Sequence, residues 1–175
     1  MFRDVGAYLR YFRSVRRRTI RDVAALPDEA VTWQPPYGDG EAGWGIPKIV
    51  EHIAESPFFF ASAYRGDGWV WEAWPEHLAD RSTWVPALER SAERFEAGLA
   101  ETPVEWLERR VEALGDPTAS LAGWRVLMMP IEHEIAHRAQ LTTYAGMNGW
   151  PVHQIFDRTN EWVVAQRDDE LRRRR

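Results

Sequence analysis

The chain has 175 residues, of which 45% are hydrophobic and 28% are charged, a composition typical of one folded domain over residues 1–175 and not of a disordered or fibrous protein. It contains no cysteine, which excludes disulfides, thiolate metal ligands and a cysteine nucleophile. The formal net charge of -5 argues against a nucleic-acid partner, because phosphate binding needs an excess of Lys and Arg on one face.

The sequence contains no candidate for a membrane-spanning segment. No apolar run reaches the roughly 18 residues that span a bilayer. The first residues also lack the apolar segment of a signal peptide. We therefore expect a cytoplasmic protein with no membrane partner.

The first predicted element is an amphipathic helix from Phe2 to about Leu26, because apolar residues recur there at helical spacing. The face opposite these residues is rich in arginine. Its members are Arg10, Arg13, Arg16, Arg17, Arg18 and Arg21. Since the chain is net negative, we interpret them as a solvent-exposed face and not as a nucleic-acid patch.

Helix two is predicted over residues 46–64, after an irregular loop rich in Pro and Gly. Pro57 falls inside this helix and removes a backbone hydrogen bond, so a kink is expected just after His52 and Glu55. Glu55 lies one turn beyond His52. Its carboxylate could accept the imidazole N–H or act as a base.

A Trp-rich segment, residues 66–76, follows helix two. Three Trp in six residues between Gly and Pro are unusual for a plain linker. The segment fits an aromatic lid over a site, a dimer contact, or a loop whose rings cap the end of the bundle. His77, directly after it, is interpreted as a surface residue.

Two further helices and one undecided stretch are predicted in the second half. Helix three covers residues 82–100, and residues 102–117 fit either a short helix or an extended piece. Helix four is capped by Thr118 or Ser120 and ends at Gly149. A last helix runs to about residue 171. Its predicted inward residues are Phe156, Trp162, Val163 and Gln166.

Helix four carries the pair His133 and His137. Four residues make slightly more than one helical turn, so both imidazoles lie on one face and can bind one metal ion. Glu134 is rotated by about 60° from His137. It could reach the edge of such a site, although solvent exposure is the simpler expectation. Gln140 and Tyr144 continue the face of His137 and could orient a substrate or close the bundle.

The letters His133-Glu134-x-x-His137 match the motif of zinc peptidases, in which the glutamate is the general base. That alternative needs a third ligand downstream, and Glu161 on the last predicted helix is the candidate. The rest of the sequence does not support a zinc peptidase, because no convincing strand-like alternation precedes the motif.

A second pattern covers more of the chain. It consists of Trp44 with His52-Ile53-Ala54-Glu55, and of His133-x-x-x-His137-Arg138-x-Gln140-Leu141-x-x-Tyr144 with the turn Gly149-Trp150-Pro151-Val152. Together these motifs span most of residues 44–152 and resemble the DinB-like, or YfiT-like, family of metal-dependent enzymes. The departures are Ala139, where Gly is common in the family, and the aromatic loop after helix two.

The resemblance implies an all-α fold, a four-helix bundle with a long crossover connection between helices two and three, plus a C-terminal helix. It also implies a metal site formed by His52, His133 and His137, and a homodimer. Three imidazoles leave at least one coordination position open, which is typical of a catalytic site.

The implied cofactor is a divalent metal ion, with Zn and Ni as first candidates, and the implied partner is a small-molecule substrate. The chemistry is either hydrolysis or a thiol-dependent transfer or isomerisation with a low-molecular-weight thiol as cosubstrate. Glu55 and Glu134 are the candidate catalytic residues. The alternative from a different class is a non-catalytic helical interaction module whose histidines pack together without metal.

Overall fold

The computed structural model describes residues 2–72, 78–154 and 157–173. Its helices and strands are α1 (Val5–Ala24), α2 (Ile46–Arg65), α3 (Trp84–Leu99), β1 (Arg110–Ala113), β2 (Asp116–Ala122), α4 (Gly123–Met147) and α5 (Asn160–Arg173). Short 3-10 helices lie in the connections at Asp28–Val31, Gly40–Gly43, Arg81–Thr83 and Val104–Leu107. Within these ranges, none of the helices is both long and apolar enough to cross a membrane.

The helices α1 to α4 form the predicted bundle. Helix α2 packs against α3 and α4, and α1 packs against the same two, so α1 and α2 occupy opposite corners. Ala54 of α2 faces Ser91 of α3, and Phe58 faces Phe95 four residues later on both helices, so α2 and α3 run in the same direction. The connection between two parallel neighbours has to return along the bundle. The long crossover expected between helices two and three is therefore present.

A buried charged pair lies at the centre of the bundle. Arg16 is only 1% exposed, and its guanidinium lies 3.0 Å from the carboxylate of Glu134, which is also 1% exposed. The expectation that Arg16 belongs to the solvent-exposed face is wrong, and so is the expectation of an exposed Glu134. Helical periodicity assigns a residue to one face of its own helix. It does not show whether another helix places an oppositely charged side chain against that face.

Arg16 also links α1 to the two remaining helices through their backbones. Its guanidinium donates to the carbonyl of Ile53 on α2 at 3.1 Å and to that of Leu88 on α3 at 3.3 Å. The Ile53 carbonyl cannot accept the usual helical bond from the fourth following residue, because that residue is Pro57 and has no N–H. Arg16 thus satisfies the acceptor that the proline leaves free in α2.

The segment before α4 corrects one predicted boundary. Thr118 and Ser120 lie in β2, which pairs antiparallel with β1, and α4 begins only at Gly123. Gly115 turns the hairpin with φ +75, a conformation that favours glycine. At Gly123 a Cβ would lie 2.0 Å from the carbonyl oxygen of Trp106, so the helix starts where only glycine fits. The undecided stretch 102–117 is a 3-10 helix followed by a strand.

The last helix does not bury the residues that periodicity predicted. Trp162 and Val163 of α5 are 48% and 51% exposed, and Gln166 is also exposed. Among its described residues α5 buries none, so it lies on the outside of the bundle. Phe156, the remaining predicted inward residue, lies outside the described residues.

Candidate metal centre

Three imidazoles converge between α2 and α4. His52 lies on α2, and His133 and His137 are one turn apart on α4, which packs against α2. The Nε2 atoms of His52 and His133 are 2.9 Å apart, and those of His133 and His137 are 3.2 Å apart. The structure therefore brings together all three histidines that the sequence motifs single out.

Each of these imidazoles has an oxygen partner at its other nitrogen. The Nδ1 atoms of His52, His133 and His137 face Glu55 Oε1 at 3.4 Å, Ser56 Oγ at 3.2 Å and Gln140 Oε1 at 3.0 Å, respectively. A carboxylate or amide oxygen can only accept, so the Nδ1 atoms of His52 and His137 carry the proton. Their Nε2 lone pairs consequently point to the common centre, as metal-binding histidines require.

The spacing of the Nε2 atoms fits one divalent ion. Bonds of about 2.0–2.1 Å separate adjacent nitrogen ligands by about 2.9 Å at 90° and about 3.4 Å at the tetrahedral angle. The observed separations of 2.9 and 3.2 Å lie inside this interval. A proton on His133 Nε2 could be shared with only one neighbouring nitrogen at a time, whereas a cation between the three atoms satisfies all their lone pairs. The donor set is thus one that a divalent metal ion satisfies.

The surroundings also keep the imidazoles of His52 and His133 uncharged. Burial, together with a smaller effect of the neighbouring His137, lowers the pKa of His52 to about 4. Burial likewise lowers the pKa of His133 to about 3, with smaller contributions from His137 and His52. Near neutral pH these side chains are therefore in the neutral form that binds metal.

A carboxylate that belongs to neither histidine motif lies at the same centre. Glu41 lies in the 3-10 helix Gly40–Gly43, and its oxygens are 4.0 Å from His52 Nε2 and 3.9 Å from His137 Nε2. One atom of Glu41 and one of each histidine all lie within 4.8 Å of one another. The sequence offers only a weak signal for Glu41, because Asp39 in the same Gly-rich loop is an equal candidate.

Aromatic rings form the walls of the centre. Trp44 contacts His52 edge-on at 4.8 Å between ring centroids and stacks near His137 at 6.1 Å. Trp71, from the Trp-rich segment, stacks on His52 at 5.5 Å. This contact favours the aromatic-lid interpretation of the segment. Trp74 and His77 lie outside the described residues.

An open cavity of about 520 Å³ reaches the centre from the surface. His133, His137, Glu41 and Tyr144 line it. A volume of several hundred cubic ångströms is the size of a small-molecule site. Two of the three imidazoles are therefore accessible to a small molecule.

Of the two predicted carboxylates, Glu55 takes the predicted position of an acceptor for His52, and Glu134 lies away from the site. Glu55 contacts the outer nitrogen of His52, so it orients that imidazole and does not face the open cavity. Glu134 pairs with Arg16 in the bundle interior, and neither it nor Glu161 is among the described residues that could hold the ion. The zinc-peptidase alternative, which requires Glu161 and excludes His52, is inconsistent with this placement.

Comparisons with known proteins agree with the fold. The chain matches the model of the DinB family over residues 1–169. A DinB-like protein from Bacillus cereus is 18% identical with a TM-score of 0.71, and the match covers 89% of this chain and 99% of that one. A DinB-like protein from Bacillus subtilis is 21% identical with a TM-score of 0.62, covering 84% and 97%. No curated protein matches the chain.

Proposed function

The chain belongs to the DinB family, and from this membership and its converging histidines we propose that it is a metal-dependent enzyme acting on a small molecule. The observation that carries the proposal is the orientation of His52, His133 and His137. Each presents Nε2 to a common centre while an oxygen atom lies at its Nδ1. A divalent ion held there, with Zn and Ni as first candidates, supplies a Lewis acid that acidifies a small nucleophile.

The residues around the centre indicate how a substrate is held. Trp44 and Trp71 provide flat apolar walls beside His52, so an apolar part of the substrate packs against them. Gln140 and Tyr144 provide polar groups to the lining of the cavity that reaches His133 and His137. Apolar walls with a few fixed polar groups are typical of small-molecule sites.

The nucleophile is either water or an external thiol. Since the chain contains no cysteine, a thiol has to enter as a low-molecular-weight cosubstrate. The two alternatives correspond to a hydrolase and to a thiol-dependent transferase or isomerase. In both, Glu55 acts as a positioning residue through His52, and Glu134 supports the bundle through Arg16.

Two substrate panels test the proposal with the same metal-loaded protein. One contains chromogenic esters and amides without thiol, and the other contains small electrophiles with a low-molecular-weight thiol. We expect turnover in one panel and a loss of at least about 100-fold in His133→Ala, which removes a ligand. Asp168→Asn, at an exposed ion pair with Arg167 on α5, serves as the control. Metal-loaded protein without turnover in either panel would support the non-catalytic module.

We also propose a homodimer. Trp162, Val163 and Leu171 of α5 are about half exposed, and none of the described residues of α5 is buried. Exposed apolar side chains on one element favour protein contacts. Light scattering should give twice the chain mass of 20.3 kDa, and a monomer at micromolar concentration would contradict the proposal.

A further inference from the structure

We propose that Glu41 is a fourth, displaceable metal ligand that closes the open position of the three-histidine centre until substrate enters. The inference rests on the proposed metal site. It assigns to Glu41 a role that the two histidine motifs do not contain. Three observations carry it: the placement of the carboxylate, the anchoring of its backbone, and the charge of the donor set.

The carboxylate of Glu41 lies close to the position that a fourth ligand of the ion would occupy. Its oxygens lie 4.0 and 3.9 Å from the Nε2 atoms of His52 and His137. Adjacent ligands of one ion lie about 2.9–3.4 Å apart, so the carboxylate has to move inward by roughly 0.5–1 Å. The side chain of Glu41 is 60% exposed and has free rotatable bonds, so this movement meets little resistance.

The backbone of Glu41 is fixed to the helix that carries two of the histidines. Gln140 Nε2 donates to the carbonyl of Glu41 at 2.7 Å, and Tyr144 Oη donates to the carbonyl of Ala42 at 2.9 Å. The same Gln140 accepts from His137 Nδ1 through its amide oxygen. One amide group therefore orients a histidine and holds the loop that carries Glu41.

Close packing inside the loop keeps it compact. Gly38 has φ +134, and a Cβ at this position would lie 2.6 Å from the carbonyl oxygen of Ala42. A Cβ on Gly43 would lie 2.2 Å from the carbonyl oxygen of Gly38. The two glycines thus allow the backbone on the two sides of the loop to come into contact. This contact places Glu41 near the histidines.

Charge balance favours a carboxylate at this position. Three neutral imidazoles leave both positive charges of a divalent ion uncompensated, and oxygen anions are accepted ligands of such ions. Glu41 is the carboxylate that the described residues bring into the ligand cluster. Because it comes from an exposed loop and not from the bundle helices, a substrate can replace it without disturbing the three histidines.

The test compares Glu41→Gln with Glu51→Gln in the full-length chain. Glu51 is a matched control, because its charge also acts on His52 while its carboxylate pairs with Lys48 and lies outside the ligand cluster. Competition with a chromophoric chelator measures zinc affinity, and the visible spectrum of cobalt-substituted protein reports the ligand set. We expect Glu41→Gln to lose at least about ten-fold in affinity and to change the cobalt spectrum. Glu51→Gln should keep the wild-type spectrum and most of the affinity.

Displacement is tested with azide as the probe ligand. Azide should bind cobalt-loaded Glu41→Gln several-fold more tightly than the wild type, because no carboxylate has to leave. Equal azide affinity, or equal zinc affinity in Glu41→Gln and Glu51→Gln, overturns the role of Glu41 while leaving the three-histidine site intact. A wild-type protein that binds neither zinc nor cobalt overturns the proposed function itself.

Discussion

The buried pair of Arg16 and Glu134 gives the sharpest prediction about stability. Replacing either residue with methionine leaves its partner as an uncompensated charge at the centre of the bundle. Removal of one partner from a buried pair costs about 3–5 kcal/mol, which corresponds to a decrease in Tm of roughly 6–20 °C for a chain of this size. The exposed pair of Arg94 and Glu72 provides the control, since such pairs contribute about 0–1 kcal/mol.

The double variant separates the pair from the other contacts of Arg16. Without either charge the desolvation cost disappears. The carbonyl of Ile53 still loses the hydrogen bond from Arg16, and Pro57 has no N–H to replace it. An unsatisfied buried acceptor costs about 1–3 kcal/mol. We therefore expect Arg16→Met with Glu134→Met to be less destabilised than the sum of the single variants by at least about 2 kcal/mol.

Urea unfolding of metal-free protein measures these free energies without a contribution from metal binding. Wild type, both single variants, the double variant and Glu72→Gln form one set. Single variants that each lose less than about 1 kcal/mol, or a double variant equal to their sum, would refute this account of the bundle centre.

Three further predictions concern the site. Glu55→Gln should lower zinc affinity about 10- to 100-fold in a chelator competition, because His52 loses an anionic acceptor, and unchanged affinity would contradict this. The pKa values of His52 and His133 fall to about 4 and about 3 on folding, so the unfolded chain binds protons first as pH falls below about 6.5. The urea midpoint of metal-free protein should therefore fall between pH 6.5 and 4, and a flat profile would oppose the assignment. Trp71→Phe should reduce the quenching of tryptophan fluorescence by Cu²⁺, and full quenching in the variant would place Trp71 away from the site.

The helices were predictable because their signals are local. Apolar periodicity locates α1, α2 and α3 to within a few residues. Asp4 caps the N-terminus of α1 and Gly66 the C-terminus of α2, and both are residue types that favour these positions. The hairpin before α4 was not predictable in the same way. Its strands are short, and Gly123 marks the start of α4 through a contact with Trp106 that is distant in sequence.

The histidines were predictable from spacing and family motifs, whereas their surroundings were not. The spacing of four residues places His133 and His137 on one face, and the Trp44 motif points to His52. Glu41 reaches the site through the packing of an irregular loop on Gln140, which leaves no periodic signal. Arg16 and Glu134 were misplaced because their burial depends on their meeting in the assembled bundle.

Metal content per chain tests the central claim most directly. Elemental analysis of the purified wild type and of His52→Ala compares a site with three imidazoles to one in which α2 contributes none. The account predicts about one divalent ion per wild-type chain, and a loss of most of it in His52→Ala. A wild type without metal, or a His52→Ala variant that retains its metal, would contradict a centre shared between α2 and α4.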